Sequence, residues 1–285
     1  MDLAEENNML TKKSIGIALV AALALGASGA ALATPITVGG VTWDPASGFD
    51  LNINAFNLRE TSVAAVGDVL HGYGQIGSIN GSTTFCSGCD LTFQFTYTVQ
   101  DLGLSGSGNP QAIFTDGSIQ FYTNAAGSFN MQFPTTAGPG TPWLTLTGHT
   151  GLVSGFSTTG TTGQLFSNIN GTVTNPLTGS TGIGFLDATG GPAMMYVDSH
   201  TQDDGLGGFA DFTINSSFLT QIFKGCGSTP STDLDNVCAY PIQGTGNLIG
   251  SSVQVPEPGE IGLLGLGLGA LGLLLRRRRK EAEKK

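Results

Sequence analysis

Leu91-Thr92-Phe93-Gln94-Phe95-Thr96-Tyr97-Thr98-Val99 alternates between large apolar and uncharged polar side chains without a break. At a side-chain period of two, Leu91, Phe93, Phe95, Tyr97 and Val99 share one face of a strand. Thr92, Gln94, Thr96 and Thr98 share the other. A helix would scatter the same apolar residues around its circumference. The stretch predicts a strand with one face in a core and one face in water.

Working outward, the same alternation predicts strands over 36–43, 72–79, 118–123, 129–133, 143–147, 164–169, 172–174, 194–198, 208–215 and 248–255. Asn170-Gly171 has the chemistry of a tight hairpin turn, and Asn80-Gly81 is a second candidate. Residues 216–223 read as a short helix or a further strand. Short strands at this spacing, separated by Gly, Asn and Pro, point to an all-β sandwich or barrel. The expected architecture is a single β-sandwich, jelly-roll-like, over residues 34–254. Regular alternation argues against reading the Gly/Thr/Ser/Asn-rich composition as disorder.

Charge is distributed unevenly. Residues 34–256 hold two basic side chains, Arg59 and Lys224, against fourteen acidic ones, a net charge of about −12 compared with −10 for the whole chain. Such a surface excludes the basic footprint of a nucleic-acid-binding protein. It stays soluble by self-repulsion and attracts divalent cations.

The four cysteines are Cys86, Cys89, Cys226 and Cys238. In an exported chain they read as two disulfides, and the local pairing Cys86–Cys89 with Cys226–Cys238 is the choice among three. A redox reading of Cys86-Ser-Gly-Cys89 needs a helix N-terminus in a βαβ setting. A four-cysteine zinc site needs a second short-spaced pair. Neither requirement is met in the sequence.

Asp198-Ser-His-Thr-Gln-Asp203-Asp204-Gly205 is the densest polar cluster. Its oxygen donors make Asp198, Asp203 and Asp204 a candidate calcium set, weighed against a solvated hairpin turn. No other cofactor is expected. His71, His149 and His200 suggest no Ser-His-Asp arrangement, and the Gly103-Leu-Ser-Gly-Ser107 stretch lacks the final glycine of a nucleophile elbow. Glu60 is the only glutamate between residue 34 and the C-terminal motif, so a paired-carboxylate site would draw on aspartates. The expectation is a protein that is not an enzyme. Trp43, Trp143, Tyr73, Tyr122, Tyr196 and Tyr240 are the aromatic candidates for a glycan platform. Trp143, after Pro142 in a Gly/Thr-rich setting, is the first of them.

The two ends describe a route. Lys12 and Lys13 precede an apolar run from Ile15 to Leu25, closed by Ala31-Leu32-Ala33, which is the layout of a cleavable signal peptide over residues 1–33. The acidic residues before Met9 make Met9 an alternative start. At the other end, Val255-Pro256-Glu257-Pro258 is held extended by its two prolines. A Gly/Leu-rich run follows, and then Arg276, Arg277, Arg278, Arg279 and Lys280. As a helix, Ile261 to Leu275 rises about 22 Å, short of a hydrocarbon core of about 30 Å. Flanking residues and snorkelling arginines extend the span, so a transmembrane helix is expected over 259–275 with a cytoplasmic stop-transfer cluster over 276–285.

This three-part tail resembles the PEP-CTERM sorting signal, and residues 255–285 are all that the resemblance securely covers. It implies a Gram-negative host, export by the general secretory route, and recognition and cutting by exosortase at the inner membrane. It also implies association with exopolysaccharide or biofilm. Three segments, Val38–Asp44, Gly67–Gly74 and Phe85–Phe93, are similar to a pattern in PEP-CTERM proteins of unassigned function. The reading that follows is an exported, non-catalytic cell-surface or extracellular-matrix protein. A carbohydrate-binding adhesin is the alternative, and a secreted polysaccharide hydrolase is the third reading.

Overall fold

A computed structural model describes residues 34–105, 108–154, 156 and 162–253, together with Gly265, Gly267, Leu268 and Gly272, which are helical. The signal peptide, the sorting motif Val255–Pro258 and the Arg276–Lys280 cluster lie outside the described residues. Among the described residues, no helix is long and apolar enough to cross a membrane.

Residues 34–253 are mostly β, with three short 3₁₀ turns among the described residues. The strands are β1 (Ile36–Val38), β2 (Val41–Trp43), β3 (Asn52–Glu60), β4 (Val69–Ile79), β5 (Cys89–Leu104), β6 (Pro110–Ala125), β7 (Thr141–Gly148) and β8 (Leu165–Asn168). They continue with β9 (Gly171–Thr172), β10 (Asn175–Pro176), β11 (Ser180–Gly190), β12 (Gln202–Asp203), β13 (Phe209–Ala210), β14 (Phe212–Thr220) and β15 (Ile242–Ile249). The opening stretch forms the middle of β5, and Leu91, Phe93, Tyr97 and Val99 are buried as their alternation requires.

Nine strands form one antiparallel sheet in the order β14-β15-β3-β4-β5-β6-β7-β11-β8, and β11 pairs with β14, so the circuit closes. β7 and β8 share one lane. β7 runs beside β6 at Ser118–Thr123 and β11 at Leu186–Gly190, while β8 runs beside β6 at Gln111–Phe114 and β11 at Thr181–Gly184. Eight lanes therefore enclose a main core of Ile53, Ile79, Leu91, Phe121, Leu144, Leu146 and Phe212, among others. The layers that face each other across this core belong to one continuous sheet, a connection that strand spacing alone does not reveal.

Interior glycines let the aromatic rings lie flat. Gly72 is paired with Phe95 and Gly74 with Phe93, and an added β-carbon at either would strike the facing ring at under 3 Å. At Gly117, beside the register shift between β5 and β6, the Tyr97 ring takes the same kind of space.

Several local expectations are corrected. Residues 36–43 are a hairpin rather than one strand, because Gly39 and Gly40 both take positive φ between β1 and β2. Asn170-Gly171 does not connect a hairpin, since β9 pairs with β10. Asn80-Gly81 does turn, with Ile79 bridged to Ser82. Residues 129–133 form no strand, and Met194–Tyr196 is a 3₁₀ turn. Residues 216–220 continue β14.

Candidate functional site

Both expected disulfides are present. Cys86–Cys89 has its Cα atoms 5.3 Å apart and precedes β5, and Cys226–Cys238 has them 5.4 Å apart in the loop between β14 and β15. These spacings are ordinary for the bond. No cysteine is left as a free thiol.

The second disulfide loop and the segment 126–140 form two flaps over the outer face of β4, β5 and β6. The first flap is fastened by Tyr73 Oη to the Met131 carbonyl at 2.6 Å and by Thr92 Oγ1 to the Ala137 carbonyl at 2.6 Å. The second is braced internally by Tyr240 Oη donating to the Leu234 carbonyl at 3.0 Å. Tyr73 and Tyr240 meet edge to face at 4.8 Å and form a small outer core with Ala137 and Ala239. Arg59 is buried under this flap. It donates to the Gln221 carbonyl and to Gln243 Oε1, and lies 5.2 Å from the Phe223 ring. Burial lowers its pKa. One of the region's two cations is thereby withdrawn from the surface.

Between the flaps lies a groove of about 330 Å³ with Pro134 and Thr135 on one side and Asp235 and Tyr240 on the other. Its floor is ordered by strand register. His71, Thr96 and Ser118 are directly paired across β4, β5 and β6, and Tyr73, Gln94 and Gln120 form the next row. Neighbouring strands are about 4.8 Å apart and same-face residues about 6.8 Å along a strand, so the floor is a lattice of hydroxyl, amide and imidazole groups. Among the described residues, the side chains of His71, Gln94, Thr96 and Ser118 have no hydrogen-bonded protein partner. They offer donors and acceptors together with no net charge from carboxylate or cation. Sequence reasoning placed Gln94 and Thr96 on an outward face but missed the groove, because its walls come from segments 40 to 140 positions away.

Two acid–histidine groups sit elsewhere. His149, just beyond β7, bonds through Nδ1 to Asp187 at 2.8 Å and through Nε2 to Asp204 at 3.1 Å. Burial works to lower its pKa, and the two carboxylates outweigh burial and raise it. Each ring nitrogen is engaged by a carboxylate, so the imidazole clamps β11 to the 204–208 turn, and neither nitrogen is free to act as a base. The pKa of Asp204 is lowered, first by His149 and then by the Leu206 N–H. Asp198, His200 and Asp211 form the second group, with ligand-type atoms within 4.8 Å of one another. Asp211 is buried and accepts from the backbone N–H groups of His200 and Ala188, at 2.7 and 2.8 Å.

The calcium set Asp198, Asp203 and Asp204 is therefore not brought together. Asp198 joins His200 and Asp211, Asp203 accepts from Gly205 N–H at 2.8 Å, and Asp204 holds His149. Consecutive residues at the end of a strand point to opposite faces, which separates Asp203 from Asp204. The glycan platform at Trp143 is also corrected. Trp143 is 1% exposed, packs edge-on to Trp43 and Phe121, and donates to the Val38 carbonyl at 3.0 Å. A ring so enclosed presents no face to a sugar.

The end of the domain is fixed. Ser252 donates through N and Oγ to Asp50, Trp43 Nε1 donates to Ser252 Oγ, and Val253 N–H donates to the Tyr196 carbonyl. Comparison with protein-family models, curated proteins and solved structures finds no match.

Proposed function

We propose that this chain is an exported, non-catalytic cell-surface or extracellular-matrix protein, sorted by its Val255-Pro256-Glu257-Pro258 tail and cut there by exosortase. The observation that carries the reading is the pinned exit. Among the described residues, the hydrogen bonds that fix the end of the domain run to Val253, two residues before the sorting motif. Cutting within that motif leaves the Ser252 and Val253 hydrogen bonds in place. Two disulfides support an oxidising destination.

The floor of the groove over β4, β5 and β6, which carries no Asp, Glu, Lys or Arg, favours a polyhydroxylated partner, the chemistry of an exopolysaccharide. Its hydroxyl and amide floor exchanges water for sugar hydroxyls without desolvating an ion. Its aromatic residues are half of the outer core rather than a stacking platform, so the adhesin reading survives as polar recognition. Mass spectrometry of the secreted form tests the route. A C-terminus near Pro256–Pro258 is expected, and a chain ending at Lys285 would refute processing. Retention on immobilised host polysaccharide, weakened by Gln94→Ala with Thr96→Val, tests the groove. Equal retention of the variant would refute it.

A further inference from the structure

The outward row of β4 that gives the groove His71 and Tyr73 continues to Gln75 and Gly77. There the sheet carries an open hollow of about 560 Å³, walled on one side by residues 129–131 of the first flap. Opposite Gly77, β3 shifts register around Ala55, and the bulge turns two consecutive residues, Phe56 and Asn57, to the outside. The Phe56 ring lies across Gly77. A β-carbon at Gly77 would stand 2.1, 2.5 and 2.9 Å from Cδ2, Cε2 and Cγ of that ring. A point so close to three successive ring carbons stands above the ring plane, so the glycine carries one face of the ring. The other face is open, since Phe56 is 53% exposed and no second ring meets it among the described residues. Amides stand beside it. Asn57 and Gln75 are directly paired across β3 and β4, one same-face step of about 6.8 Å from Gly77. Gln75 spends no side-chain hydrogen bond on the described residues. Asn57 Oδ1 accepts from Gln243 at 3.4 Å and Asn130 Oδ1 from the Gln132 N–H at 2.9 Å, which leaves both Nδ2 groups as donors.

We propose that this hollow binds a neutral pyranose unit of a polysaccharide, stacked on Phe56 and hydrogen-bonded at its rim by Asn57, Gln75 and Asn130. The site rests on the polysaccharide-binding reading above for its class of partner, and adds to it a stacking contact that the groove lacks. The chemistry selects the sugar. The negative face of an aromatic ring attracts the C–H bonds of a flat apolar surface. A pyranose with all its hydroxyls equatorial offers such a surface of axial hydrogens and carries its hydroxyls around the rim. An axial hydroxyl would be pressed, unbonded, against the ring. Side-chain amides both donate and accept, which suits the rim hydroxyls. No Asp, Glu, Lys or Arg lines the hollow, and the net charge of about −12 over residues 34–256 disfavours a uronate.

The test is titration and saturation-transfer NMR of the purified protein with cellotetraose, a neutral chain of all-equatorial pyranoses. Tetragalacturonate, with an axial hydroxyl and a carboxylate on each ring, is the comparator. Saturable binding of cellotetraose is expected, and irradiating the aromatic protons of the protein should saturate the axial hydrogens of one sugar face before the rest. Phe56→Ala should weaken binding about 2–12-fold with the thermal midpoint near that of the parent, because the ring is half exposed. Phe56→Tyr should retain binding. Gly77→Ala, which keeps the ring but lifts it from its seat, should weaken it. Absence of saturable binding, undiminished binding in Phe56→Ala, even saturation of both faces, or equal affinity for tetragalacturonate would each overturn the proposal. Binding lost in Gln94→Ala with Thr96→Val but kept in Phe56→Ala would sink this site and leave the groove standing, and the reverse result would support this site against the groove.

Discussion

Replacing Gly72 by alanine inverts the usual effect of that change. Glycine inside a strand costs about 0.5–1 kcal/mol relative to alanine, through the entropy lost on folding, so Gly→Ala at an open strand position stabilises. At Gly72 a β-carbon would stand 2.1 Å from Phe95 Cζ and 2.2 Å from Cε1. Carbon atoms rest about 3.5–4.0 Å apart, so the ring must retreat by about 1.5 Å. Phe93 lies stacked at 6.3 Å on one side of it and Tyr97 edge-on at 6.2 Å on the other, which restricts the retreat. Overpacking of this kind costs about 1–3 kcal/mol. Set against the entropic gain, a net loss of about 1–2 kcal/mol is expected, a fall in thermal midpoint of about 2–8 °C for a domain of this size.

Urea unfolding of Gly72→Ala, Phe95→Leu and the double variant measures it. Gly48→Ala is the control, since nothing lies within 4 Å of its added carbon. The smaller leucine side chain in the double variant should recover most of the loss, giving a coupling of about 1 kcal/mol between two directly paired positions. A Gly72→Ala protein as stable as the parent would refute the packing argument. So would strict additivity with Phe95→Leu.

Two further sets of outcomes follow from the same structure. Replacing Cys226 and Cys238 by serine opens a loop that chain-entropy reasoning values at about 2–3 kcal/mol, read as a lower urea midpoint, and a shift under about 0.5 kcal/mol would contradict it. Stability should also fall as pH rises, for two separable reasons. The folded pKa of His149 is raised, so its contribution is complete below the unfolded value of about 6.5 and is lost as pH climbs through the folded value. Glu60 has a folded pKa of about 8 against an ordinary 4.5. The unfolded chain releases that proton first, and stability declines from about pH 4.5 to 8 and then levels. Glu60→Gln should flatten the profile from about pH 4.5 to 6.5, and His149→Gln should reduce, without abolishing, the slope above about pH 6.5. A parent profile flat from about pH 5 to 8 would contradict both.

The sequence disclosed whatever rests on alternation or local chemistry. β5 was legible because large apolar residues occupy every inward position. So were both cysteine pairs and the Asn80-Gly81 turn, each a matter of a few neighbouring residues. β3 and β11 were not. Their inward positions include Ala55, Gly182 and Gly184, and β3 carries a register shift that leaves Phe56 exposed. Alternation vanishes where the partner strand, rather than the strand itself, supplies the bulk. The His149 clamp left no trace either, because His149 finds Asp187 and Asp204 at separations of 38 and 55 positions. Trp143 misled because a Gly/Thr-rich setting resembles a surface, whereas the ring is covered from elsewhere in the chain, by Trp43, Phe121 and the β1–β2 hairpin.

The glycine content and the closed circuit are connected. A sheet bent round a single core brings its inward side chains closer together than an open sheet does, and large residues on adjacent strands then compete for the same volume. Pairing Gly72 with Phe95 and Gly74 with Phe93 settles that competition within each rung. Closure in turn removes the free edges that would otherwise expose unpaired backbone groups along β14 and β11. Residues 34–256 are rich in threonine and hold one lysine, Lys224, so edge lysines are not available as protection. Closure supplies it instead, and the outward faces are free to carry the neutral rows on which the groove is built. A substitution that opens the β11–β14 seam should therefore promote self-association before it unfolds the core.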